Sequence, residues 1–233
     1  MTKHLVLLPG LDGTGQLFSD FVAVLPNTVS ASIVTYPTEE FLRYADLRPF
    51  ISAAIPECES FVMLAESFSS PLAMEFTASK PPNLVALIIC AGFVSRPLGG
   101  WSPLAKALAW PWLFKVNTPC FILEYFAMGQ NASPALIQKF RRVVGSISPE
   151  VMSSRTREAM DSDARSAVAQ ITVPLLYVHG TEDHLLADSC LKEMERIKPE
   201  MSIARVAGPH LLLQREPQKA ADIVSGFIRK LGI

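Results

Sequence analysis

The stretch Phe61–Ala73, FVMLAESFSSPLA, decides the fold of this chain. It opens as a short apolar run, reaches a serine at Ser67, and continues through Pro71 into a helical pattern of Leu72, Met74, Phe76 and Ala78 that ends at Lys80 before Pro81 and Pro82. Residues 61–65 have the length and apolarity of a buried strand, and a proline close to the start of the following segment stands where a helix tolerates one. A strand that turns this sharply into a helix at a serine crowds the positions two before and two after it, so both must be small. Here they are Ala65 and Ser69, which makes the motif A-E-S-F-S in place of G-x-S-x-G. On its own the segment also suits a serine that merely caps a helix.

Working outward, short apolar runs recur at His4–Leu8, Ala31–Val34, Leu84–Cys90, Pro174–Val178 and Met201–Val206. Between the first two, Leu17, Phe18, Phe21, Val24 and Leu25 repeat at helical spacing, and after Pro217 so do Ala220, Ile223, Val224, Phe227, Ile228 and Leu231. Six such strands alternating with helices predict an α/β protein with a mostly parallel sheet covered on both faces. In sheets of this kind ligands bind beyond the carboxyl ends of the strands, so the residues that follow each strand are where chemistry is sought.

The chain has 233 residues, 49% of them hydrophobic and 18% charged, with a net charge of -1. That is enough to bury a substantial core, and it leaves no general electrostatic attraction for nucleic acid. The apolar run Leu5–Leu8 is too short for a signal-peptide core or a membrane span, which predicts a cytoplasmic protein without stable membrane insertion. Cys58, Cys90, Cys120 and Cys190 are scattered, without metal-site spacing or disulfide density, and are expected to be reduced, buried thiols.

Three strand ends beyond Ser67 carry suggestive residues. PGLDGTG at 9–15 is a glycine-rich loop leading into a helix, with neither the Gly-Lys-Ser/Thr of a nucleotide triphosphate loop nor the G-x-G-x-x-G of a dinucleotide site. Beside the serine turn it would offer the Leu11 backbone N–H, together with that of Phe68, to a developing oxyanion. HGTEDHLL at 179–186 places Glu182 and Asp183 after a strand; the G-x-x-D spacing favours Asp183 for orienting a histidine, with Glu182 the fallback. GPHLLLQREP at 208–217 then supplies His210, the candidate general base.

The order Ser67, Asp183, His210, each after a strand of one sheet, is the chain order of an α/β-hydrolase triad. Through LLPGLDGTG, LAESFSS, HGTEDHLL and GPHLLLQREP the chain resembles the α/β-hydrolases over essentially its whole length. The resemblance implies a serine esterase working through an acyl-serine intermediate, with no metal or organic cofactor. It also implies a reduced, six-stranded sheet, because the sequence starts at what would be the family's third strand. Haloalkane dehalogenase chemistry would need a carboxylate where Ser67 stands. Thioester hydrolysis, acyl transfer on the same triad, and a non-catalytic ligand-binding role are alternatives that the motifs do not separate from ester hydrolysis.

The alternation of strands and helices is interrupted from 95 to 165, which predicts a helical cap inserted into a core formed by 1–94 and 166–233. Its first part is rich in apolar residues, among them Trp101, Leu108 and Trp112, which either line an acyl pocket with Phe140 or pack on the core. Its second part reads as two serine-capped helices, from Ser133-Pro134 to Val144 and from Ser148-Pro149 to Met160. They carry Lys139, Arg141, Arg142, Arg155 and Arg157, either a solvated basic face or a contact for an acidic acyl carrier protein. In this the chain is similar to the cap-bearing carboxylesterases of biotin synthesis, which cleave the methyl ester of a pimeloyl-carrier protein and grip the carrier through cap arginines.

Overall fold

The computed structural model describes residues 3–57, 59–115 and 118–232. Six strands, β1 (Lys3–Leu8), β2 (Val29–Ile33), β3 (Phe61–Glu66), β4 (Leu84–Cys90), β5 (Leu175–Gly180) and β6 (Ser202–Val206), form one sheet in the order β2-β1-β3-β4-β5-β6. Every neighbouring pair is parallel. From β1 the chain goes to the edge strand β2 and then crosses back to β3 on the other side of β1. The direction of winding therefore reverses between β1 and β3, and this is where such a sheet opens a crevice at its carboxyl edge.

All six residues of β3 are buried, and the strand's two-residue period divides them between two cores. Phe61, Met63 and Ala65 pack on one face with α2 (Tyr44–Ala54), α3 (Ser70–Ala78), α9 (Arg165–Gln170) and α10 (Asp188–Ile197). Val62 and Leu64 pack on the other with α1 (Ser19–Ala23), α11 (Leu212–Arg215) and α12 (Pro217–Lys230). A central strand covered on both faces must be apolar throughout, which is why residues 61–65 carry so clear a signal.

Between β4 and α9 lie five further helices: α4 (Ser102–Leu108), α5 (Pro111–Lys115), α6 (Cys120–Leu123), α7 (Pro134–Gly145) and α8 (Pro149–Asp161). A π-helical turn over Glu124–Met128 continues α6. The segment leaves and rejoins the sheet at one place, since Arg96 N–H donates to Ser162 C=O (3.2 Å) and Ala164 N–H to Val94 C=O (2.9 Å). Ser133 caps α7 by accepting from Leu136 N–H at 3.2 Å, whereas the Ser148 hydroxyl bonds the Glu150 carboxylate instead of the helix start.

No helix among the described residues is long and apolar enough to cross a membrane. Cys90 and Cys190 are buried free thiols, but Cys120 is exposed, contrary to the expectation of burial, because α6 buries none of its residues. Cys58 lies outside the described residues.

Candidate active site

β3 ends at Glu66, a tight turn over Ser67–Ser69 follows, and α3 begins at Ser70. Ser67 has φ 47°, in the left-handed region that non-glycine residues rarely adopt. Ala65 and Ser69 are both fully buried beside it. Ser69 is more than a small residue, however. Its hydroxyl donates to the Pro9 carbonyl and accepts from Tyr36 Oη at 2.8 Å, tying the turn to the loop after β1. Tyr44 Oη donates to the Phe68 carbonyl at 2.7 Å, and its ring packs on Phe68 with centroids 4.9 Å apart. Burial pushes both phenols well up from their usual range, so they remain protonated donors.

Ser67 Oγ lies 2.9 Å from His210 Nε2, and His210 Nδ1 lies 2.7 Å from Asp183 Oδ2. An ionised carboxylate only accepts, so the proton is on Nδ1 and Nε2 is free to accept from the serine hydroxyl. The other Asp183 oxygen, Oδ1, accepts from the N–H groups of Leu185 (2.8 Å) and Leu186 (2.9 Å), which fixes the carboxylate plane. Glu182 is exposed and takes no part in this chain. The loop bearing His210 comes this close only because residue 180 is glycine: a Cβ there would stand 2.6 Å from the carbonyl oxygens of Gly208 and Pro209. His4 sits between Ser30 and Ser32 in the sheet and His184 stacks on Tyr125, so neither joins Ser67.

Leu11 and Phe68 line the same cavity as Ser67. Neither backbone N–H takes part in the loop and turn hydrogen bonds of the described residues. The loop carrying Leu11 is held internally by Gly13 N–H to Gly10 C=O (3.0 Å), and Asp12 accepts from both the N–H (2.9 Å) and the hydroxyl (2.6 Å) of Thr14. From outside it is gripped by Arg155 of α8, whose Nη1 donates to the carbonyls of Leu11 (3.0 Å) and Asp12 (2.7 Å) and whose Nη2 donates to that of Pro37 (2.8 Å). Gly13, at φ 70°, passes so close to the guanidinium that a Cβ would meet it at 2.4 Å.

Arg155 is therefore not a surface cation for a carrier protein: it is buried, and its donors are taken up by loop carbonyls. The remaining cations do not form the expected face either. Arg141 donates to the Thr118 carbonyl and approaches Cys120 Sγ, Arg157 lies over the Trp110 ring, and Lys139 pairs with Asp20 at 2.9 Å. Of these five side chains, Arg142 is the exposed one without such a partner among the described residues.

The cavity at Ser67 measures about 230 Å³. Phe140 lines it, with Phe93, Leu98, Val144, Met152, Met160 and Leu186. Trp101, Leu108 and Trp112 do not: all three are exposed on α4, α5 and the turn before them. The lining comes instead from α7 and α8, the two helices whose apolar faces turn toward the sheet. Among the described residues, no group of three or more His, Cys, Asp or Glu side chains is arranged to hold a metal ion.

Glu66, next to the serine, is a site residue that the motif A-E-S-F-S does not single out. It lines the cavity and is buried, with one oxygen accepting from Gln214 Nε2 at 3.3 Å and the other without a hydrogen-bond partner among the described residues. Burial raises its carboxyl to about 7, with the nearby Asp12 charge adding to the effect, while Gln214 and His210 oppose it. A charged residue inside an otherwise apolar strand was the available signal. An acid raised from 4.5 to about 7 holds its proton in the folded state over a range where the unfolded chain has released it. Stability should therefore fall as pH rises from about 4.5 to about 7 and then level off, by a total on the order of 3 kcal/mol from this group. In Glu66→Gln that component should vanish, as measured by denaturant unfolding across the pH range; parallel profiles for the two proteins would refute it.

No protein-family model matches the chain, and no curated protein matches it in sequence. Solved structures do match over nearly its full length. An esterase from Exiguobacterium antarcticum is 17% identical, with a TM-score of 0.80 over 97% of this chain and 92% of that one. A bromoperoxidase from Bacillus anthracis is 14% identical, with a TM-score of 0.80 over 98% and 92%. A lipase-esterase related protein from Clostridium acetobutylicum is 11% identical, with a TM-score of 0.78 over 97% and 94%. At such identities the likeness speaks for architecture alone, and with the sheet order it shows that the chain has the α/β-hydrolase fold.

Proposed function

We propose that this protein is a serine hydrolase that cleaves a carboxylic ester through an acyl-serine intermediate. The observation that carries the reading is the hydrogen-bonded chain Ser67–His210–Asp183 opening into an apolar cavity from a strained turn. A serine hydroxyl is a poor nucleophile near neutral pH, so His210 takes its proton as Oγ attacks the ester carbonyl. Asp183 holds the imidazole in the required tautomer and stabilises the imidazolium. The tetrahedral oxyanion is bound by the N–H groups of Leu11 and Phe68, each such donor contributing about 3–4 kcal/mol in comparable sites. His210 then protonates the departing alkoxide, and water activated by the same histidine releases the acid.

The inserted helices act in this reading as a cap whose α7 and α8 close the acyl side of the cavity. Its volume of about 230 Å³ is below the roughly 300–1000 Å³ of sites for drug-sized ligands, which favours acyl groups of short to medium length. Arg141, Arg155 and Arg157, on which a grip on a carrier-linked substrate would depend, are engaged within the protein, which favours a free ester. The test is a series of p-nitrophenyl esters graded by acyl length. Turnover should peak at short to medium acyl chains, and Phe140→Ala should move the optimum toward longer ones, with a several-fold gain there. No turnover of any ester in the series, together with no labelling of Ser67 by a fluorophosphonate, would sink the proposal.

A further inference from the structure

A short helix is ordinarily held in place by burying an apolar stripe. α4, α5 and α6 bury no apolar side chain completely; the one buried residue among them is Ser102. Instead Trp101, Leu104, Trp110, Trp112 and Phe121 are exposed by 72, 51, 55, 59 and 69%. All three tryptophans of the chain are in this group. Monomeric soluble proteins rarely leave so much large apolar surface uncovered in one segment, and such a surface marks a place of contact.

Two observations indicate what it contacts. Phe114 of α5 packs on Ile147, Val151 and Met152, and the tryptophans face away from the core. Indole is an amphipathic ring that settles at the headgroup level of a bilayer, and three exposed tryptophans within twelve residues of one another match an interfacial anchor. From Ser95 to Leu123 the sequence carries Arg96, Lys106 and Lys115 and neither aspartate nor glutamate. Lys106 and Lys115 do pair with Asp161 and Glu150 of α8, but both pairs are solvent-exposed, and such pairs are weak. The turn that continues α6 meets the rim of the cavity: Tyr125 stacks on His184, and the adjacent Leu185 is at once a lining residue and exposed. A second copy docked isologously would bring together two faces that both lack acidic residues, whereas anionic headgroups complement the cations.

We propose that α4, α5 and α6 form a peripheral docking face for a phospholipid bilayer containing anionic headgroups, with the tryptophans at headgroup level and the cavity mouth turned toward the lipid. The contact does not depend on the hydrolytic reading, so Ser67→Ala should bind vesicles as the wild type does. The test uses the full chain and vesicles of equimolar phosphatidylglycerol and phosphatidylcholine, read by co-sedimentation and by tryptophan emission. Because every tryptophan is on this face, binding should shift the emission to shorter wavelength. Leu104→Asp/Phe121→Asp keeps all three tryptophans and changes only exposed positions. It should partition about tenfold or more weakly while hydrolysing a short soluble ester as before. Pure phosphatidylcholine vesicles should bind less than the mixture. The proposal is overturned if vesicles leave the emission unchanged, if the double variant binds equally, or if sedimentation finds a wild-type dimer that the double variant dissolves, which would assign the face to a second copy.

Discussion

Ser67→Ala is expected to reduce ester turnover by roughly 10⁴–10⁶-fold, the range seen when the nucleophile of a serine–histidine–aspartate site is removed. The loss is that large because acylation has no substitute route: without Oγ there is nothing for His210 to deprotonate and no covalent intermediate. The substitution leaves the backbone demand at φ 47° as it was, since serine and alanine share the same Cβ, so the variant should fold with little change in stability. His210→Ala should fall into the same range, and Asp183→Asn should cost about 10⁴-fold by offering Nδ1 the wrong partner. Combining Ser67→Ala with His210→Ala should add almost nothing, because the two groups serve one step. The measurement is kcat/KM on the best ester of the graded series, with fluorophosphonate labelling as the second readout. Substantial turnover by purified Ser67→Ala would remove the serine from the mechanism.

Arg155→Ala is expected to have the largest effect on stability, about 3–5 kcal/mol, and to lower kcat at the same time. The guanidinium is buried and satisfies the carbonyls of Leu11, Asp12 and Pro37; removing it leaves three inward-facing acceptors unmatched and a void over the Tyr36 ring, which it overlies at 5.7 Å. Burial draws its affinity for the proton down, with the Asp12 charge opposing, yet an arginine stays charged under all ordinary conditions. Leu11 sits on the loop that Arg155 holds, so its N–H should lose its aim at the oxyanion. We expect a fall of about ten- to a hundredfold in kcat with little change in KM, since the oxyanion forms only in the transition state. Arg155→Lys should recover little, because an ammonium cannot span acceptors on two segments. Arg142→Ala, on the exposed side of α7, is the control and should leave both quantities nearly unchanged. Thermal unfolding and steady-state kinetics on the same preparations decide the matter; an Arg155→Ala protein as stable and active as wild type would refute the clamp.

Much of this molecule was legible in one dimension where local physics is decisive. A strand covered on both faces must be apolar along its length, so β1, β3, β4 and β5 announced themselves, and six parallel strands followed from their alternation with helices. The positions of Ser67, Asp183 and His210 after strands were likewise readable, because one sheet edge gathers whatever follows its strands.

The helical segment inserted between β4 and β5 is where reading by residue type failed. Tryptophan and leucine predict burial on average, but α4 and α5 turn Trp101, Leu108 and Trp112 outward, and nothing in their spacing says which side of a short helix meets the core. Arginine predicts a surface, yet Arg155 is inside, because one turn of α8 lies directly over the carbonyls of the loop after β1. Sequence alone determined the class of fold and the order of the reactive groups, both consequences of periodicity and of residues next to one another in the chain. Only the tertiary structure decided which side chains face the cavity, that Ser69 and Arg155 hold the turn and the loop in place, and that Glu66 is buried beside the serine. Those outcomes depend on contacts between segments distant in the chain, on which carbonyls are left without partners and which faces without cover, and such quantities exist only once the segments have met.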